Sequence, residues 1–130
     1  MSGRARVVLW APVVLLLAFE AYLSSQSRLP EFGVPVPDLD KVEHAGYFFL
    51  TGLLAVRAAR FGERWSRTRT AVFLVLAACL WGCLDEIHQS RIPMRSVEIA
   101  DVIADTAGVA LAVIFGELIL RKTGLNQTIR

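Results

Sequence analysis

Four hydrophobic blocks divide the chain, and none of them has the regular polar face that a helix of a soluble protein shows. The blocks cover residues 7–19, 45–56, 71–84 and 106–116. Because a helix rises about 1.5 Å per residue, about 20 residues are needed to cross the hydrocarbon core of a membrane. Each block is shorter than that, so a spanning helix has to include the charged residues beside it. The pattern therefore predicts four transmembrane helices, at about residues 6–25, 41–60, 70–89 and 98–121.

The predicted fold class is all-α, an integral membrane bundle of four transmembrane helices in a single domain, residues 1–130. The composition agrees, since 55% of the residues are hydrophobic, and soluble domains usually contain about 45–50%. The first block also resembles the hydrophobic part of a secretory signal peptide. Three similar blocks follow it, so a membrane protein is predicted whether or not that block is removed. An uncleaved first helix is the preferred interpretation.

The connections between the predicted helices differ in length. Residues 25–40 contain three of the five prolines and are predicted to form an extended loop. Residues 90–96 form a short turn around Pro93. This short connection predicts that the last two helices form an antiparallel hairpin.

The basic residues are unevenly distributed between the two ends of the predicted bundle. Ten of the 14 lysines and arginines belong to one end, namely Arg4, Arg6, Arg57, Arg60, Arg64, Arg67, Arg69, Arg121, Lys122 and Arg130. Cytoplasmic loops of membrane proteins carry such an excess. Both termini are therefore predicted to be cytoplasmic, in a protein of the inner or plasma membrane. The scattered basic residues do not form the continuous groove of a nucleic-acid-binding protein, so no nucleic-acid partner is predicted.

Ionisable residues are concentrated at the opposite, outward-facing ends of the helices. A charge near the middle of a membrane helix costs about 2.5–3.5 kcal/mol, so such side chains usually face one another or water. We therefore predict a shared polar cavity formed by Glu20, His44, Asp85, Glu86, His88, Arg95, Asp101 and Asp105. Four further acidic residues suit either this cavity or simple helix caps at the membrane surface, namely Asp38, Asp40, Glu43 and Glu98.

The residue types in this group allow more than one chemistry. Histidines beside carboxylates suit general acid–base catalysis, and the catalytic candidates are His44, Asp85, Glu86 and His88. Histidine and carboxylates also suit zinc or manganese, but DEIHQ lacks the two-histidine spacing of a zincin helix, so no metal or cofactor is predicted. Arg95 suits either a bound phosphate or carboxylate or a salt bridge within the protein. The candidate partners for that salt bridge are Asp85, Glu98 and Asp101.

Small residues recur every four positions in the last predicted helix, at Gly108, Ala112 and Gly116. This spacing allows helices to approach closely in a membrane. Packing within one bundle is the preferred interpretation of the stripe, and a homodimer seam is the alternative.

The polar motifs resemble those of a known family. The stretch DEIHQSRIPMRSVEIADVIADTAG, residues 85–108, resembles the signature hairpin of the VanZ-like membrane proteins. The matching positions are Asp85, Glu86, His88, Gln89, Pro93, Arg95, Asp101 and Gly108. The stretch DKVEH resembles the family's motif at the start of the second helix and contributes Asp40, Lys41 and His44. The resemblance covers nearly the whole chain.

The resemblance implies a role at the cell envelope, because the founding member of the family is linked to low-level resistance to the glycopeptide teicoplanin. We expect an outward-facing cavity that binds a membrane lipid or a lipid-linked envelope component. The expected ligand-binding residues are Asp40, Lys41, His44, Asp85, Glu86, His88, Gln89, Arg95, Asp101 and Asp105. Two alternatives remain: an intramembrane acid–base or metal-dependent enzyme acting on a lipid-linked substrate, and a structural or interaction module of the membrane.

Overall fold

The computed structural model describes residues 2–27 and 38–123 of the chain. These residues form four α-helices: α1, Gly3–Ser24; α2, Leu39–Arg57; α3, Arg67–Gln89; and α4, Ile99–Lys122. A short π-helical segment, Ala58–Gly62, continues α2. The predicted all-α architecture is confirmed, and each helix lies within a few residues of its predicted position. The predicted extended loop falls mainly on residues 28–37, which lie outside the described residues.

Serine caps explain why α1 and α3 begin before the hydrophobic blocks do. The Ser2 hydroxyl accepts a hydrogen bond from the Ala5 amide at 3.4 Å, and the Ser66 hydroxyl accepts one from the Arg69 amide at 3.3 Å. A capping serine satisfies one of the backbone N–H groups that the first turn of a helix leaves without a partner. Each of these helices therefore starts with an arginine-containing turn, which extends the apolar block towards the length of a membrane span.

Three of the helices, α1, α3 and α4, are long and apolar enough to cross a membrane. Helix α2 does not qualify by composition, because its 19 residues include Asp40, Lys41, Glu43 and Arg57. Its length, about 28 Å at about 1.5 Å per residue, is nevertheless close to the thickness of a hydrocarbon core. A fourth span along α2 stays a prediction, and it requires neighbouring helices to neutralise these charges.

The outer surface of the bundle is apolar on all four helices. Large hydrophobic side chains that are more than half exposed include Leu15 on α1, Leu50 on α2, Leu80 on α3 and Ile114 on α4. A soluble protein rarely exposes apolar surface so widely. The surface is therefore suited to contact with lipid.

Helices α2 and α4 form the most extensive helix pair of the bundle, and the stripe of small residues lies between them. The contacts join Gly108 to Ala45, Ala112 to Gly52 and Gly116 to Val56. The stripe therefore packs inside one bundle, which is the preferred interpretation from the sequence. A homodimer would have to use another surface.

Helix α1 is attached to the bundle by hydrogen bonds as well as by apolar packing. The Tyr47 hydroxyl donates to the Leu16 carbonyl oxygen at 2.6 Å, which joins α2 to α1. The Trp81 indole Nε1 donates to Glu20 Oε2 at 2.8 Å, which joins α3 to α1. Both bonds involve polar groups that would be costly to leave without partners inside a membrane.

The two ends of the bundle differ in charge. The "basic end" contains the start of α1, the π-helical segment, the α2–α3 connection and the end of α4. At this end Glu117 Oε1 lies 2.9 Å from Arg60 Nε, and Glu117 Oε2 lies 3.2 Å from Arg67 Nε. The "motif end" is the opposite end and consists of residues 20–27, 38–48 and 81–105. The start of α1 and the end of α4 thus both lie at the basic end. The side of the membrane that the basic end faces stays a prediction.

We predict that Gly108→Ala destabilises the protein, because a Cβ there would overlap the Ala45 carbonyl oxygen and touch the Phe49 amide. Overpacking costs about 1–3 kcal/mol, which exceeds the roughly 0.5–1 kcal/mol that alanine gains over glycine in a helix. Gly46→Ala is the matched control on α2, since no atom lies within 4 Å of its added Cβ. Thermal unfolding in detergent should show a lower midpoint only for Gly108→Ala. Equal midpoints would contradict the close α2–α4 packing.

Candidate functional site

Lys41 is the centre of a charge cluster that joins α2 to the start of α4. Its ammonium Nζ lies 2.6 Å from an oxygen of each of Asp40, Glu98 and Asp101. The oxygens of these three carboxylates lie within 4.8 Å of one another, a spacing that also suits a metal ion. The ammonium provides the counter-charge that three converging carboxylates need in a medium of low dielectric constant.

His44 is held by a buried carboxylate one turn further along the same two helices. His44 Nδ1 lies 2.8 Å from Asp105 Oδ1, and His44 Nε2 lies 4.0 Å from Asp101 Oδ2. Asp105 is only 3% exposed, and a buried carboxylate needs a hydrogen-bond partner. His44 provides that partner. A carboxylate that orients an imidazole in this way is the arrangement expected of an acid–base histidine.

Asp85 and Glu86 are adjacent in sequence but fix different parts of the bundle. Asp85 is buried and accepts hydrogen bonds from the Ser24 hydroxyl on α1 and from Gln89 Nε2, the latter at 2.5 Å. Glu86 Oε2 accepts a hydrogen bond at 2.7 Å from the backbone N–H of Glu98, the residue that precedes α4. Asp85 therefore ties α1 to α3, and Glu86 caps α4 with a negative charge, which suits a helix N-terminus.

His88 pairs with Ser25 rather than with the other motif residues. Its Nε2 lies 3.0 Å from the Ser25 hydroxyl oxygen, and that hydroxyl donates its proton to the Ala21 carbonyl oxygen at 2.7 Å. A hydroxyl has one proton to donate, so His88 Nε2 acts as the donor in this pair. The imidazole is thus not placed to accept the Ser25 proton, and the geometry does not make Ser25 a nucleophile.

A cavity of about 240 Å³ opens between these contacts at the motif end, and we call it the "polar cavity". Its polar lining comes from three helices and the α3–α4 turn, and comprises Glu20, Ser24, Glu43, His44, Tyr47, Gln89 and Arg95. Among residues 2–27 and 38–123, no side chain forms a hydrogen bond or an ion pair with the Arg95 guanidinium. Arg95 is therefore the basic group on the cavity wall that has no partner in the part of the chain that the structure describes.

A comparison with protein-family models identifies the family, and the match extends over nearly the whole chain. The family model for VanZ/LLP1 matches residues 6–120, which cover α2, α3, nearly all of α1 and α4, and both motifs. The chain belongs to the VanZ/LLP1 family. It is therefore a multi-pass membrane protein, as the hydrophobic pattern predicts. No curated protein and no solved structure matches the chain.

The predicted site residues of this VanZ-family protein all lie at the motif end but do not share one cavity. Glu20, His44, Gln89 and Arg95 line the polar cavity. Asp85 and His88 line a neighbouring pocket of about 230 Å³ between α1 and α3. The remaining predicted residues lie in the contacts between helices, namely Asp40, Lys41, Glu86, Asp101 and Asp105.

Two contacts between elements of the bundle are not among the predictions from the sequence. The first contact joins Ser24 to Asp85. The sequence contains only a weak sign of it, namely that Ser24 lies one turn after Glu20 on the same helix face. The second contact is the pairing of the buried Glu117 with Arg60 and Arg67. The sequence indicates it more clearly, because Glu117 is a lone acidic residue directly after an apolar block. Such an acid in a membrane helix requires a cation nearby.

We predict that Lys41→Gln lowers the free energy of unfolding at pH 7, because three carboxylates lose a charged hydrogen-bond donor. Arg91→Gln is the control, since Arg91 is an exposed basic residue of the same end with no partner among the described residues. Unfolding in detergent from pH 7 to pH 3 measures both.

The pH dependence has a definite sign. The hydrogen bond from Lys41 lowers the pKa of the Glu98 carboxyl. A lowered carboxyl pKa adds stability above the group's ordinary pKa, and this stability is lost as the pH falls through the folded-state value. The difference between wild type and Lys41→Gln should therefore shrink below about pH 4. A difference that stays constant down to pH 3 would refute the charge cluster.

Proposed function

We propose that this VanZ-family protein binds a membrane lipid or a lipid-linked envelope component in the polar cavity, with an anionic group of the ligand at Arg95. The observation that supports this most directly is the Arg95 guanidinium on the cavity wall, which has no partner among the described residues. Lys41, at the same end, is already paired with three carboxylates. Arg95 is therefore the basic residue of the cavity that has its full hydrogen-bonding capacity left for a ligand.

The salt bridge considered for Arg95 from the sequence is not formed, and the structure gives the reason. Each candidate carboxylate has another partner: Asp85 binds Ser24 and Gln89, while Glu98 and Asp101 bind Lys41. A guanidinium is always protonated at physiological pH and presents donors that match the geometry of phosphate and carboxylate. A phosphate or carboxylate group of the ligand is thus the partner that best completes Arg95.

His44 supports a second candidate function, acid–base catalysis on the bound component. It lines the same cavity as Arg95, and Asp105 orients it. A ligand whose anionic group lies at Arg95 would place its neighbouring atoms close to this imidazole. Turnover of a lipid-linked substrate that is lost in His44→Gln, with binding retained, would establish this function.

A structural role is supported by the hydrogen bonds that join helices at the motif end. The bonds of Asp85, Glu86 and Lys41 each connect two elements of the bundle. If the protein acted only as a membrane scaffold, substitutions of these residues would lower thermal stability, and Arg95→Gln would leave lipid binding unchanged.

The cavity is proposed to face outward, because the basic end has the excess of arginine and lysine that marks a cytoplasmic side. An outward cavity that binds lipid agrees with the family's link to resistance against a lipidated envelope drug. For this chain, teicoplanin resistance is a prediction from that resemblance.

We predict that Arg95→Gln weakens lipid binding roughly tenfold or more, the loss expected for a charge-assisted hydrogen bond. The probe is dioleoyl phosphatidylglycerol, titrated into the full-length protein in detergent and followed by native mass spectrometry. Arg91→Gln removes a charge at the same end without touching the cavity and should bind like wild type. Equal affinity in wild type and Arg95→Gln would refute the proposal.

The orientation can be measured separately by cysteine labelling in intact bacterial cells. In a Cys79→Ala, Cys83→Ala background, which removes two exposed thiols, Val97→Cys reports on the motif end and Thr68→Cys on the basic end. Both side chains are exposed. A membrane-impermeant maleimide should label only Val97→Cys before the cells are opened. Labelling of Thr68→Cys instead would contradict the predicted orientation and place the basic end outside.

A further inference from the structure

The polar cavity contains unpaired charges of both signs. Glu43 lines it together with Arg95, and neither side chain has a partner in the part of the chain that the structure describes. Glu20 adds a second carboxylate, of which Oε2 accepts the Trp81 indole hydrogen bond. A headgroup with only negative charge would pair with Arg95 but would face both carboxylates. A headgroup that has a phosphate and an ammonium complements all three groups.

An apolar groove of about 210 Å³ lies next to the polar cavity, on the side that faces the basic end. Phe48 lines both spaces, and Leu17, which lines the groove, lies one turn before Glu20 on α1. The groove extends down to Trp10 and Phe73, and polar atoms contribute very little of its surface. The two spaces therefore follow one another along the bundle, first a charged compartment and then an apolar one. This order matches an amphiphile with a charged headgroup and a hydrocarbon chain.

The groove also has a route of entry from the membrane. Helices α1 and α3 share a far less extensive contact than α2 and α4 do. Phe73 and Ala77 of α3 line the groove and are exposed at the surface of the bundle. A hydrocarbon chain can thus pass between α1 and α3 from the lipid phase while its headgroup stays at the motif end.

From this combination we infer that the ligand is a phospholipid with a primary ammonium on its headgroup, of the phosphatidylethanolamine type. Its phosphate lies at Arg95, its ammonium at Glu43 and Glu20, and one acyl chain lies in the apolar groove. The inference rests on the proposed function, since it specifies the lipid that the polar cavity binds.

The headgroup is tested by titrating the full-length protein with dioleoyl phosphatidylethanolamine and, separately, with dioleoyl phosphatidylglycerol, using native mass spectrometry in detergent. Wild type should bind the ethanolamine lipid roughly tenfold more tightly, the effect of one charged contact. Glu43→Gln should abolish this preference, because it removes the carboxylate that meets the ammonium. Asp38→Asn, which removes an exposed charge outside the cavity lining, should retain it. Thermal unfolding confirms that each variant is folded.

The position of the acyl chain is tested with Ala77→Phe, which places an aromatic ring in the groove. This variant should weaken binding of the ethanolamine lipid roughly fivefold or more, an effect of lost apolar burial. Leu76→Phe is the matched control, because Leu76 is the preceding residue, is exposed, and does not line the groove.

The outcomes separate this inference from the proposed function. Equal affinity for the two lipids in wild type, with both still dependent on Arg95, would overturn the assignment of the ammonium and leave the proposed function intact. Ethanolamine-lipid binding that Ala77→Phe does not change would overturn the position of the acyl chain. Binding of both lipids that is independent of Arg95 would overturn the proposed function and this inference together.

Discussion

The structure depends on one interaction: basic side chains near the start of α2 pair with carboxylates of α4. The glycine stripe of α4 makes this possible, because Gly108 allows the backbones of α2 and α4 to come close at Ala45. At that separation Lys41 and His44 reach Asp101 and Asp105 across the helix pair. Ion pairs of this kind offset the desolvation of charges only when their geometry is good. Close packing and charge pairing at this contact therefore depend on each other.

This pairing divides the ionisable residues of the motif end into two groups. Asp85, Glu86 and Asp105 are buried, and each has a partner on another element of the bundle. Arg95 and Glu43 lie on the wall of the polar cavity and are left without partners among the described residues. In the proposed function, the first group fixes the positions of the helices, and the second group provides the charges that meet the headgroup.

The bundle is also unevenly packed along its length. Ion pairs close the basic end through Glu117, and the charge cluster around Lys41 fixes α2 to α4 at the motif end. Between them, α1 packs loosely against α3 and leaves an apolar groove. In a membrane, lipid tails are as apolar as leucine, so a loosely packed interior surface there is open to hydrocarbon chains. In the proposed function, the polar end therefore holds the headgroup, and the groove admits an acyl chain from the side.

The sequence by itself determined the fold class, the positions of the four helices, the family and the end of the bundle where the ionisable residues meet. These features follow from local properties, namely the length of apolar runs, the spacing of motif residues and the distribution of arginine. Only the tertiary structure decided which residues pair. Asp85 binds Ser24 rather than Arg95, and His88 lies in a different pocket from His44. Each pairing joins residues of separate helices, so it depends on the rotation and depth at which those helices pack, and neither quantity is encoded in a single stretch of sequence.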